Sequence, residues 1–274
     1  MTAPFTFAQA AASYVEHGGE ARFISRLIAI FGASDVATVT PMAVHRAAFD
    51  LYPEASNATR NRQVITPARA VLYHAHDLGW RTPVRIRLLR APPTRRALPA
   101  NRRWMERFLE RCDADGLFHL AGCVLFMNMT AARVSEAVAL EGQSVDLVRR
   151  TAVLVRTKTD VDSLRWLPDP LIERIRALDP RPGERVFRYT SRYSVNERIK
   201  AVCARAGLPY KSSHVVGRHA FATNALNAGV NVRVAMEAGG WRSPALFLGT
   251  YVHTVDAGRM VMDRLNAIAF SDQL

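Results

Sequence analysis

His214, Arg218 and Tyr251 fall within one stretch, SSHVVGRHAFATNALNAGV followed by EAGGWRSPALFLGTYVH, and together they suit attack on a phosphodiester. A phenol with a pKa near 10 is a weak nucleophile until neighbouring cations stabilise its phenolate. Arg218 can neutralise the charge that builds on phosphorus in the transition state. His214 precedes it by four positions, so on a helix the imidazole and guanidinium share a face. The imidazole can then accept or relay the tyrosine proton. His219 follows directly as a supporting group. Trp241, after Gly239 and Gly240, can pack beneath a phosphate, donate its indole N–H, or fill core. Attack by Tyr251 would leave a covalent DNA 3′-phosphotyrosine and a free 5′ hydroxyl. That bond retains the backbone energy, so rejoining needs neither ATP nor a metal.

Two more cations lie upstream. Arg133 sits in MTAARVSEAVALEG, after a turn and at the start of a helix, with Glu136 one turn on. Its fork can hold two non-bridging phosphate oxygens, and Glu136 can hold the fork. Lys158 occupies the tip of a predicted hairpin, from which a lysine can protonate the leaving 5′ oxygen. The chain has 34 arginines and 3 lysines, which draws attention to each lysine and discounts any single arginine. Taken singly, each residue also has an ordinary structural explanation. An i,i+3 ion pair is worth only a few tenths of a kcal/mol, a turn lysine is commonly solvated, and a tyrosine commonly packs between helices. Their order carries the argument.

The elements that must position them are mostly helical. Thr40-Pro41 reads as an N-cap with proline at the first helical position, opening a helix to about Leu51. A second runs from about Ala58 to Leu78 and stops at Gly79, with Arg60, Arg62 and Arg69 on a wet face. Residues 1–90 therefore form a small helical domain with a basic side. Residues 91–100, within RAPPTRRALPA, resemble an extended linker containing Arg95 and Arg96. The second domain, 101–274, opens with helices from Asn101 to Cys112 and from about Leu117 to Met129. Thr151–Arg156 and Ser163–Leu167 then read as a hairpin around the turn Thr157–Asp160. Helices resume after Pro170. The fold class is mainly α with a small antiparallel sheet.

Charge points the same way. The net charge is +13, and between Leu78 and Met105 there are eight arginines and no acid. Residues 1–100 carry 12 basic against 6 acidic side chains, and residues 101–274 carry 25 against 18. Both parts suit a polyanion. No apolar run approaches the roughly 20 residues of a membrane helix. The N-terminus lacks a basic region before an apolar one, so the expected location is cytoplasmic. Cys112, Cys123 and Cys203 make neither a disulfide framework nor a zinc motif. His74 and His76 point to nearly opposite helix faces and do not share an ion. No metal and no cofactor are expected.

The ordered set resembles the tyrosine recombinase, or phage integrase, family over almost the whole chain. TAARVSE matches its first arginine box, RTKTD its hairpin lysine, GRHAFAT its second arginine box, GGW its Gly-His/Trp box, and the YVH segment its nucleophilic tyrosine. ATRNR at 58–62 lies in what looks like the family's helical core-binding domain. The chain departs in three places. His214 and Arg218 are four apart where the family usually has three, so either the turn absorbs one residue or the histidine's role is altered. Thr130-Ala131-Ala132 stands where glycine is common, which is tolerable if that turn avoids positive φ. Tryptophan replaces the commoner histidine at 241.

The resemblance implies a two-lobed clamp on double-stranded DNA, with Arg60, Arg62, Arg69, Arg95 and Arg96 on the backbone. It implies a homo-tetramer on synapsed DNA, from a free monomer or weak oligomer, exchanging strands in pairs through a four-way junction. It admits an accessory directionality factor as partner, and a location at the bacterial nucleoid. The tail from Val255 to Leu274 suits docking on a neighbouring protomer, with packing on its own protomer the competing interpretation. With no arm-type domain before Phe5, a large accessory-site architecture is not expected. The function expected is a site-specific recombinase of a mobile element. A catalytically silent DNA-binding regulator and a type IB topoisomerase-like relaxing enzyme are the alternatives.

Overall fold

A computed structural model of the chain describes residues 4–92, 98–155, 162–251, 261–262 and 265–266. The chain divides into two compact units, Met1–Arg95 and Arg96–Leu274. The first is helical: α1 (Phe7–Glu16), α2 (Ile24–Phe31), α3 (Pro41–Leu51), α4 (Asn57–Arg60) and α5 (Thr66–Asp77). Local chemistry sets these starts. The Thr6 hydroxyl accepts from the Gln9 amide while the Gln9 side chain accepts from the Thr6 amide, closing a capping box on α1. Thr40 caps α3 with Pro41 in its first turn, and Ser56 caps α4. Phe7, Leu27, Val44, Ile65 and Leu72 fill the core between them.

The helix expected from Ala58 to Leu78 contains a π-helical turn, Asn61–Ile65, between α4 and α5. A π turn carries an extra residue and changes the phase of the helix around it. Arg60 consequently points inward rather than onto the wet face. Its Nε donates to the Tyr52 carbonyl at 3.0 Å and its Nη2 to that of Pro53 at 2.5 Å, with the Phe49 ring beneath. This guanidinium holds the α3–α4 connection together. Arg62 stays exposed and Arg69 half-buried.

The second unit comprises α6 (Arg102–Ala114), α7 (Phe118–Thr130), α8 (Val134–Ala139), β1 (Val145–Asp146), β2 (Thr151–Leu154), β3 (Ser163–Trp166), α9 (Asp169–Leu178) and α10 (Arg192–Ala206). After a π turn at Val215–His219 come α11 (Ala220–Asn227), α12 (Val232–Gly239) and α13 (Pro244–Tyr251). Helix α7, FHLAGCVLFMNMT, is apolar on nearly all sides and is buried along most of its length. It is the central rod against which α6, α8, α9 and the π turn pack.

The sheet has the order β1-β2-β3, antiparallel throughout, with Thr151 opposite Trp166 and Leu154 opposite Ser163. Both hairpin strands end one to two residues short of the expected bounds, and β1 was not foreseen. Residues 156–161, with the expected turn and Lys158, lie outside the described residues, as do Arg95 and Arg96. The three cysteines are free and buried, and burial pushes the Cys112 and Cys123 thiols up to about 12. Among the described residues no helix is long and apolar enough to cross a membrane.

Candidate active site

Helix α7 ends at Ala131, in the left-handed conformation with φ 57° and ψ 17°. The turn therefore does use positive φ, contrary to the condition under which alanine would be costless there. For an alanine that conformation costs roughly 1–2 kcal/mol. The surroundings offset it: Ala131 is fully buried and its carbonyl accepts a hydrogen bond from Arg218. Two residues on, Arg133 is the N-cap of α8. The Glu136 carboxylate accepts from the Arg133 amide at 2.7 Å and from its Nη1 at 2.5 Å. The Glu136 side chain is only 6% exposed while that of Arg133 is 34% exposed. The carboxylate is a buried anchor, and the fork it orients looks outward.

The second arginine is fixed differently. Arg218 is 4% exposed, and its Nη1 donates to the carbonyls of Ala131 at 2.8 Å and Gly239 at 2.9 Å. Its guanidinium carbon stands 3.9 Å over the Trp241 ring. Two carbonyls and one aromatic face thus set the plane of the fork. Burial, and secondarily Arg133, pull its pKa down to about 10, while Tyr251 and Glu136 act the other way. It remains a cation at neutral pH.

His214 and Tyr251 meet at this cluster. The π turn answers the spacing question: the additional residue between His214 and Arg218 is absorbed where α11 is entered, with Gly217 at φ −93° and ψ −106° breaking the helical path. The Asn128 side chain donates to the Val216 carbonyl at 2.7 Å and pins the turn to α7. His214 Nε2 then lies 3.5 Å from the Tyr251 hydroxyl. Tyr251 is 4% exposed, its ring 5.2 Å from Trp241, 5.6 Å from Phe247 and 5.4 Å from His219. Trp241 is core and a cation–π platform at once. Gly239 must lack a side chain, since a β-carbon there would lie 1.8 Å from the Trp241 ring.

Burial first, then the charges of Arg218 and Arg133, hold the His214 imidazole below its ordinary value of 6.5. It is neutral at pH 7, the form that can accept a phenol proton. If it does so, cleavage should hold level through neutral pH and fall only as acid titrates the depressed group, with the midpoint of the acid limb below the ordinary 6.5. His214→Gln should slow the plateau about 10- to 100-fold and erase that acid limb. Single-turnover rates from pH 5 to 8 test this; an acid limb retained in the glutamine variant would remove His214 from the role.

Arg133, His214 and Arg218 open onto a cleft of about 490 Å³, which Ser135, Arg192, Tyr210 and Ser212 also line. A larger hollow of about 860 Å³ between α6, α7 and α9 holds none of the candidate catalytic groups. The structure therefore brings together Arg133, Glu136, His214, Arg218, His219, Trp241 and Tyr251. Sequence reasoning missed Asn128, whose one signal was an amide inside an apolar helix, and the cleft residues Arg192 and Tyr210.

The π turn depends on Gly217, because a β-carbon there would lie 2.9 Å from Met127 Cβ. Gly217→Ala should cost about 1–3 kcal/mol of stability by overpacking. It should also slow cleavage more than it weakens DNA binding. Denaturant unfolding beside single-turnover cleavage tests both halves.

A mostly helical domain with a three-stranded sheet, setting a buried tyrosine against the histidine of a cleft that also holds two arginines, defines a class: the tyrosine recombinases, which break and rejoin DNA. Residues 102–257 match the sequence model of the phage integrase family, and the chain belongs to that family. No curated protein gives a significant sequence match. Solved structures share the fold at low identity. The Tn1549 transposon integrase (residues 82–397), in complex with circular intermediate DNA, is 18% identical with a TM-score of 0.74. That match covers 94% of this chain and 99% of the other. A lambda integrase tetramer bound to a Holliday junction is 13% identical with a TM-score of 0.69, covering 92% and 78%. XerH recombinase on palindromic difH substrate, a post-cleavage complex, is 16% identical with a TM-score of 0.62, covering 94% and 78%.

Proposed function

We propose that this protein is the site-specific recombinase, or integrase, of a mobile element, and that it cuts and rejoins DNA through a 3′-phosphotyrosine on Tyr251. The observation that carries the reading is the approach of Tyr251 to His214, 3.5 Å apart beside two cations differently anchored. Arg133 and Arg218 bind the non-bridging oxygens of the scissile phosphate. His214 takes the phenol proton, and Lys158 returns one to the leaving 5′ oxygen. Each role is realised as charge moves in the transition state, the kind of contact that raises rate rather than affinity. The family's transposon and phage members, and a tetramer on a Holliday junction among the structural neighbours, support a mobile-element role and paired strand exchange by four protomers.

Arg62 and Arg69, with Arg95 and Arg96, are assigned to the DNA backbone, which predicts binding that weakens steeply with salt. Arg60 is not assigned there, because its donors serve the helical fold. A directionality factor and a cytoplasmic, nucleoid location belong to the same reading.

The test is a nicked suicide duplex built from the repeats that flank the gene. The expected product is a covalent protein–DNA adduct whose modified peptide contains Tyr251. Failure to form an adduct on the correct site would sink the reading in favour of a silent DNA-binding regulator. Adduct formation with supercoil relaxation but no exchange between two sites would favour a relaxing enzyme.

A further inference from the structure

We propose that Arg165 is a positioning residue for this chemistry, a third guanidinium whose charge supports Arg218 from behind and is needed only as the transition state forms. The proposal rests on the recombinase reading above. Its first sign is a strand that alternates regularly but carries its charged residue on the inner face. On β3, Leu164 is 52% exposed and Trp166 71% exposed, so position 165 faces inward, yet it holds an arginine only 4% exposed. Burying a guanidinium without a carboxylate is costly, and an apolar residue of that size would ordinarily be preferred.

The contacts show where the charge is directed. Nη1 donates to Ser163 Oγ at 2.7 Å and to the Leu164 carbonyl at 3.1 Å. Nη2 reaches the Gly239 carbonyl at 3.4 Å, the same oxygen that accepts from Arg218 at 2.9 Å. Nε is buried with no hydrogen-bond partner. A β-carbon on Gly240, whose φ is +66°, would lie 3.0 Å from Nη2, so the arginine lies tight against the turn leading to Trp241. Arg165 thus ties the hairpin strand to the carbonyl and turn that fix Arg218.

Among the described residues no carboxylate forms an ion pair with Arg165. The charge it senses is Glu136, already paired to Arg133, with Arg133 opposing. Among the described residues these three guanidiniums therefore share one carboxylate, which leaves two of their positive charges without a partner. A phosphodiester brings one negative charge. Attack by a phenolate makes a phosphorane with two. The second excess cation is matched only in that transition state, so its contribution should appear in rate and not in binding.

The test uses the full chain on the nicked duplex and on the same duplex with an uncharged methylphosphonate at the scissile position. Arg165→Met should cleave the phosphate about 10- to 100-fold more slowly, with DNA affinity within about threefold and an unchanged or higher melting temperature. On methylphosphonate, whose phosphorane carries one negative charge rather than two, the gap between variant and wild type should shrink to about threefold or less. Arg165→Lys, which keeps charge but not the fork, should recover part of the phosphate rate. The proposal is overturned if Arg165→Met cleaves phosphate like the wild type, if the gap is equal on both substrates, or if the variant melts lower than the wild type. Wild-type adduct formation tests the recombinase reading itself, whereas the variant-to-wild-type ratio tests Arg165.

Discussion

Tyr251→Phe should abolish covalent adduct formation on the nicked duplex while leaving the fold and DNA binding almost untouched. The substitution removes one oxygen and no ring. Phenylalanine keeps the packing against Trp241, Phe247 and His219, which supplies most of what this side chain gives to the apolar cluster around Trp241. The lost polar contact, to His214 Nε2, is at 3.5 Å, the outer limit of a hydrogen bond. It is therefore worth no more than about 1 kcal/mol. Without the hydroxyl no bond to phosphorus can form, so the adduct band on a denaturing gel should vanish rather than weaken. Affinity by band shift should stay within about threefold, since phosphate contacts dominate binding. A persistent adduct would mean that another nucleophile does the chemistry. A large fall in melting temperature with the adduct would make Tyr251 structural.

How much of this was legible in the sequence divides along a physical line. Features set by a few neighbouring residues could be read directly: the Thr40-Pro41 helix start, the hairpin strands, and the Arg133–Glu136 pair at a helix N-terminus. Features set by the phase of a helix could not. A π turn is one additional residue in an otherwise ordinary helical pattern, so the inward swing of Arg60 was hidden, as was whether His214 keeps the reach to Tyr251 that its expected role requires. The spacing HVVGR posed the second question without answering it. Contacts between distant segments were also hidden. The φ of Ala131 follows from how α7 must end to place Arg133 while offering its carbonyl to Arg218, which is 87 residues away. Arg165 looked like one arginine among 34 until the strand register turned it inward.

Arg218→Ala should lower single-turnover cleavage about 10³-fold or more, with Arg218→Lys recovering little of it. The transition state contributes the larger part. Removing one preorganised donor from a developing oxyanion costs on the order of 10²–10³ in rate, and here a full charge is removed as well. Lysine restores the charge, but as a point on a flexible stem. It cannot bridge the Ala131 and Gly239 carbonyls while presenting a planar fork to phosphate. The structural cost is bounded by opposing effects. The two carbonyls lose a partner, at about 1–3 kcal/mol for each left unsatisfied. Relief of a buried cation, already strained enough to bring its pKa down to about 10, works against that loss. The variant should therefore stay folded, with a modest shift in melting temperature, and bind DNA within about tenfold of the wild type. Arg133→Ala should be the less stable of the two, because it strands Glu136, a carboxylate only 6% exposed, without its cation. Cleavage kinetics, band shift and thermal melting on both variants separate these contributions. If alanine at 218 weakened affinity as much as rate, the site would be a DNA anchor and the catalytic assignment of Arg218 would fall.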